Sequence, residues 1–109
     1  MGTHALISVE GIPINLYKHS DGYPSEIIPW LLSFRERFMD NRCWDDSYML
    51  AQLVRNSVTI DNAPFTGWGL YSSSVDIASD YYYQLTPTGV KYHTGDGLWK
   101  YVHNWRIYK

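Results

Sequence analysis

The chain has 109 residues, of which 45% are hydrophobic, 17% aromatic and 18% charged, and its formal net charge is −2. This length predicts one domain spanning 1–109, and so aromatic and charge-light a composition argues against disorder. A duplex-binding protein would show a basic footprint that is missing here, and no apolar run is long enough to span a bilayer.

Cys43 is the single cysteine, so no intrachain disulfide can form and a reducing compartment is the better fit. Met1-Gly2-Thr3-His4 lacks the basic-then-apolar pattern of a secretory signal, and a cytoplasmic, membrane-free protein is expected. Charge is uneven along the chain. Residues 1–89 carry five Lys/Arg against ten Asp/Glu, whereas Lys91, Lys100, Arg106 and Lys109 face only Asp96 in the tail. The plain reading of that tail is a solvated strand face, with an anionic partner as the alternative.

Residues 3–18 read as a β-hairpin closed on Glu10-Gly11. It would pair Val9 with Ile12, Ile7 with Ile14 and Ala5 with Leu16, and so put all six on one dry face. Asp21-Gly22 turns the chain. Pro24 keeps Tyr23 extended, and Ser25 and Glu26 suit a helix start. Because Pro29 is tolerated only in a first turn, an irregular entry is expected before a regular helix from about Pro29 to Met39. Its stripe of Ile27, Leu31, Phe34 and Phe38 is the pattern of a helix laid on a sheet. Asp45 is placed to cap a second helix running to about Asn56, with Trp44 and Met49 at the spacing of a hydrophobic staple.

After a loop at 61–64, residues 66–71 form a short strand. Tyr81–Leu85 and Val90–Thr94 then flank a four-residue hairpin loop, Thr86-Pro87-Thr88-Gly89, with Leu85 facing Val90 and Tyr83 facing Tyr92. Gly95-Asp96-Gly97 turns once more into a final strand from about Leu98, whose alternation puts Trp99, Tyr101, His103 and Trp105 on one side. That side is assigned to the core together with Tyr81, Tyr83 and Tyr92, with a stacking platform for bases or sugars, or a protein interface, as the alternative. Tyr82, Gln84, Lys91, His93, Lys100 and Arg106 are left on an exposed side. The fold class is α+β: an N-terminal hairpin, two helices, then a C-terminal antiparallel β-meander, with the helices on one sheet face.

The stretch Tyr17-Lys18-His19-Ser20-Asp21-Gly22-Tyr23-Pro24, followed by an apolar helix and a Tyr-rich hairpin, resembles a group of small proteins of phages, prophages and some bacteria and archaea. That group runs aromatic–basic–His/Gln–x–Asp–Gly–Tyr–Pro after a hairpin. The likeness covers residues 5–40 well and 80–94 loosely, while residues 95–109 have no counterpart in it. It implies a small α+β fold and brings no catalytic residue. A viral or mobile-element origin would suit a protein that acts on a host protein.

Candidate chemistry gathers in the same stretch. His19 and Asp21 are spaced for a base and its orienter, but Asp before Gly is commonly a turn residue that accepts backbone N–H bonds. Metal ligation would need more donors than His93 and His103 supply, and neither paired-cysteine nor helical two-His spacing occurs. Cys43 beside a helix start reads as a packed small apolar residue rather than a nucleophile. No pattern asks for a cofactor, and none for a catalytic residue. Ten tyrosines and five tryptophans exceed what so small a core can bury.

The expectation is therefore a non-catalytic domain that binds another protein or a second copy of itself, with nucleic acid disfavoured. Tyr17, His19, Asp21, Tyr23, His93 and Arg106 are its candidate binding residues. The alternative is a small-ligand binder or hydrolytic enzyme built on the His19/Asp21/Tyr23 loop.

Overall fold

The fold is that of a computed structural model, which describes residues 2–102. Strands β1 (Ala5–Val9) and β2 (Ile14–Lys18) are followed by helices α1 (Pro24–Asn41) and α2 (Asp46–Asn56) and a 3₁₀ turn over Ser57–Thr59. Strand β3 (Trp68–Ser72) comes next, then β4 (Tyr81–Thr86), β5 (Gly89–His93) and the short β6 (Lys100–Tyr101). The six strands make one sheet in the order β3-β2-β1-β4-β5-β6. Neighbours are antiparallel except β1 and β4, which run parallel. The opening hairpin and the closing meander are thus one sheet, joined along β1, as a chain can do only when a long crossover separates the parallel strands. The α+β class with both helices after the N-terminal strands is as the pattern predicts.

The opening hairpin differs in register. Ile7 faces Leu16, not Ile14, so the pairing has slid by two residues. Pro13 offers no N–H to the tighter ladder, and the Glu10 amide is already taken by the Leu85 carbonyl at 2.9 Å, which extends the β1–β4 pairing. Gly11, at φ +95, lets the widened loop close. A slip of two keeps every side chain on its own face. Ala5, Ile7, Val9 and Leu16 are accordingly buried, but Ile14 is pushed to the rim.

Helix α1 is continuous where an irregular entry was expected. Pro24 occupies its first position, where the absent N–H costs nothing, and Tyr23, not Ser25, is the N-cap. Pro29 sits inside the helix. The bond it cannot make belongs to the carbonyl of Ser25, an exposed residue that water can reach. Helix α2 starts as expected: the Asp45 side chain accepts the Tyr48 amide at 3.3 Å. Met49 is fully buried and Trp44 packs against the same core. Cys43 is exposed, contrary to the packed role expected of it, because it lies in the turn between the helices and not on either apolar stripe.

The core is one layer between the helices and the sheet. Ile27, Ile28, Leu31 and Phe34 of α1, with Met49 and Leu53 of α2, meet Ile7, Val9, Tyr83 and Leu85. The helices sit over β1, β4 and β5, and α1 reaches the start of β3 through Trp30, whose ring centre lies 6.0 Å from that of Trp68. Arg35 ties α1 to the β4–β5 turn by donating to the carbonyls of Thr86 (3.0 Å) and Pro87 (2.7 Å). That turn is tighter than the four-residue loop expected. Thr86 pairs with Gly89, and its hydroxyl takes the amides of Thr88 and Gly89, leaving Pro87-Thr88 at the tip.

Candidate functional site

With both helices on one side, the other side of the sheet is open, and the register dictates what it shows. One row of side chains runs Tyr71, Asn15, Ser8, Gln84, Lys91, Tyr101 across the six strands. The next runs Gly69, Tyr17, Leu6, Tyr82, His93, and Trp99 follows on the approach to β6. Trp99, Tyr101 and Tyr71 are exposed, and only Leu6 in these rows is buried.

This overturns the assignment of Trp99 and Tyr101 to the core with Tyr83 and Tyr92. A turn over 95–97 pairs Tyr101 with Lys91 and Lys100 with Tyr92, so parity sends Tyr101 to the open face and aligns Lys100 with the helix side. His103, Trp105 and Arg106, which the expected last strand included, lie outside the described residues.

The aromatic groups on β4–β6 form a contiguous set. Tyr82 and His93 stack with ring centres 4.4 Å apart and planes 10° from parallel, and the Trp99 ring stands perpendicular to His93, also at 4.4 Å. Lys91 Nζ lies 5.3 Å from the Trp99 ring centre and 6.0 Å from that of Tyr101, within cation–π reach. His93 Nδ1 accepts the Gly95 amide at 3.0 Å and the Gly97 amide at 3.4 Å. Those donors place the ring proton on Nε2 and favour the neutral imidazole. Its pKa is lowered by burial, which outweighs the opposing charge of Asp96. The group is therefore a flat, neutral, fixed plate rather than a proton carrier.

A second cluster lies at the β2 end. The Tyr17 hydroxyl and His19 Nδ1 are 2.8 Å apart, the His4 ring stacks on His19 at 4.6 Å, and Tyr17 meets the Tyr71 ring edge at 5.9 Å. Burial, then the neighbouring Tyr71 and Asp80, raise the Tyr17 pKa. His19 thus takes its partner from Tyr17 and not from Asp21.

Asp21 and Tyr23 form their own pair, with the Tyr23 hydroxyl donating to Asp21 Oδ1 at 3.5 Å, and the Asp21 charge raises the Tyr23 pKa. Asp21 has φ +55, a left-handed turn that Asp tolerates better than most residues. Gly22 is buried against β1. A methyl group there would sit 2.8 Å from the Thr3 carbonyl and 2.9 Å from the Ala5 amide nitrogen. Tyr23 and Pro24 then open α1. Every residue of Asp21-Gly22-Tyr23-Pro24 has a place in the architecture.

The expected residues therefore divide into Tyr17 with His19, Asp21 with Tyr23, and His93 apart. Three strand spacings separate β2 from β5, roughly 14 Å, so these groups do not converge on one cleft. His4 was not singled out in sequence, and Trp99, weighed there as part of a stacking platform or interface, was assigned to the core. The hairpin register that pairs Tyr82 with His93 was legible, and extending it through the 95–97 turn reaches Trp99.

The helix side carries a separate groove of about 360 Å³ between α1 and α2, where Arg42 lies 4.1 Å from the Tyr48 ring centre and pairs with Asp45 at 3.2 Å. None of the expected residues lines it. Among the described residues there is no group of three or more His, Cys, Asp or Glu able to hold a metal, and no helix long and apolar enough to cross a membrane. No family model, curated protein or solved structure matches the chain.

Proposed function

We propose that this is a non-catalytic protein-binding domain whose partner docks on the open face of the sheet, over Tyr82, His93, Trp99 and Tyr101. The observation that carries this reading is the stacked Tyr82–His93–Trp99 set, held rigid by backbone donors and lying beside Lys91. Rigid aromatic side chains give large contact area at small entropic cost and dominate the energetics of protein interfaces. Lys91 is the one permanently charged residue in the two rows. A phosphate backbone is gripped by several cations and would find few here. The likeness of residues 5–40 to small phage and prophage proteins favours a host protein in the cytoplasm as the partner.

A photo-crosslinking residue in place of Tyr101, compared with one at exposed Ser33 on α1, tests this in a bacterial lysate. A protein adduct formed from position 101 alone, and lost in Trp99→Ala, is the expected result. Equal adducts from both positions, none from 101, or an adduct to nucleic acid would each overturn it.

A further inference from the structure

The two edges of the sheet are not alike. Strand β6 is two residues long and carries Lys100, with Lys91 next to it, the kind of short, charged edge that resists pairing with another chain. Strand β3 is five residues long, and no formal charge falls between Asp61 and Asp76. It has no proline, bulge or lysine to guard it.

Its backbone is poised for a further strand. His19 donates to the Gly67 carbonyl at 2.9 Å, and Ser73 donates to the Pro13 carbonyl at 2.9 Å. Antiparallel alternation then turns the backbone of Gly67, Gly69, Tyr71 and Ser73 toward β2, and that of Trp68, Leu70 and Ser72 away from the sheet. Only the Ser72 carbonyl, which accepts from Val75 at 2.9 Å, is taken up among the described residues.

The side chains around the edge point the same way. Leu70 is 53% exposed on the helix side, beyond the Trp30–Trp68 contact where α1 meets the start of β3, and Ile14 stands exposed two strand positions away. Phe65, in the loop leading into β3, is fully exposed at 105% and held at φ +64. A left-handed conformation is unfavourable for a bulky residue. Within one copy that strain only delivers an aromatic ring to water.

We infer that β3 pairs antiparallel with β3 of a second copy of this chain about a two-fold axis at Leu70, giving a continuous twelve-stranded sheet. The occupant is a second copy because the strand is complementary to itself. Trp68 then faces Ser72, Leu70 faces Leu70, and Gly69 faces Tyr71, with every outward donor opposite an acceptor, the Ser72 carbonyl taking the Trp68 N–H on its second lone pair beside the Val75 amide, and no charge opposed to a like one. Phe65 of one copy is carried to the end where the other continues toward its exposed Val75. Phe65, Leu70, Tyr71, Val75 and Ile14 expose roughly 500 Å² per copy, taking an aromatic side chain as 150–250 Å². The smallest specific interfaces need about 600 Å² per partner, and the strand backbone and Trp68 supply the difference. The inference does not rest on the open face binding a partner, since it uses the sheet edge alone.

The test is sedimentation velocity of the full chain up to about 100 µM, a range that captures micromolar association, combined with amide hydrogen exchange. The wild type should sediment at twice the 12.7 kDa monomer mass. Leu70→Lys should return it to the monomer with an unchanged circular dichroism spectrum. Exchange at the Trp68 and Leu70 amides should slow as concentration rises, while Gly69 and Tyr71 stay protected throughout. Should Leu70→Lys fail to fold, Phe65→Asp decides, because that ring touches no core and its loss should weaken the dimer at least tenfold. A wild type that stays monomeric, a dimer that survives both substitutions, or concentration-independent exchange at Trp68 and Leu70 would overturn the inference. Crosslinking from position 101 in monomeric Leu70→Lys keeps this outcome separate from that of the open face.

Discussion

The hydroxyl of Tyr83 donates to the carbonyl of Gly22 at 2.7 Å, joining the middle of β4 to the loop before α1 across 61 residues of sequence. Both residues are buried, so Tyr83→Phe leaves a carbonyl without a partner and without water. A loss of about 1–3 kcal/mol in urea unfolding is expected. The same side chain also titrates against folding. Burial first, then Tyr81 and Tyr92, push the Tyr83 pKa far above its ordinary 10.0. Above pH 10.0 the unfolded chain therefore holds fewer protons than the folded one, and stability falls as pH rises, whereas below that pH nothing is lost. Tyr83→Phe should flatten the alkaline limb of a stability–pH curve, and a limb of unchanged slope would remove Tyr83 from this account. His93 shifts in the opposite sense. Its imidazole should titrate below 6.5 in a proton NMR titration and show the Nε2–H form in nitrogen shifts, since protonating Nδ1 would displace the Gly95 and Gly97 amides. At this scale the sequence marked Asp21-Gly22 as a turn from composition alone. That Gly22 is fixed by Tyr83 was invisible, because nothing local in either residue records a partner so distant.

Elements were legible where their signals are local. The α2 cap, the β4–β5 register and the apolar stripe of α1 follow from residues within a few positions of one another. They failed where two local rules compete. Pro29 argues for a break, yet Pro24 at the first helical position and the buried stripe from Ile27 to Phe38 hold one continuous helix through it. The opening hairpin slid by two because Glu10 bonds across to β4, a strand that local patterning could not place beside it. Tyr101 illustrates parity: the turn over 95–97 already sets Tyr101 opposite Lys91, and only the aromatic character of its side of the strand had placed it with the core. The cap of α2 gives the element-scale test. Asp45→Ala should cost about 1 kcal/mol, read as a lower urea midpoint at unchanged slope. Asp45→Ser should recover most of it, because the serine hydroxyl also accepts the Tyr48 amide. The exposed pair with Arg42, which serine cannot make, is screened by water and salt and contributes little. Equal losses in the two variants would assign the effect to the ion pair instead.

For the molecule as a whole, β1 is the seam. It pairs antiparallel with β2 on one side and parallel with β4 on the other, so the first and last thirds of the chain share one sheet only through its five residues. Ala5, Ile7 and Val9 fill its helix side completely, beneath α1 and α2, while Leu6 and Ser8 contribute to the open face. A domain of this size has about 5–15 kcal/mol of net stability, and removing the Ile7 side chain beyond its β-carbon should cost about 2–5 kcal/mol, much of that total. What distinguishes a seam from an ordinary core position is where the loss appears. Native-state hydrogen exchange in Ile7→Ala should show amides of β2 and of β5 losing protection by the same free energy, because neither half keeps a covered core once β1 leaves. If β5 kept its protection while β2 lost it, the meander and helices would form a separate folding unit. The open face, which takes one row of side chains from every strand, would then survive only in part. Equal loss in both halves ties the integrity of that surface to a residue on the opposite side of the sheet.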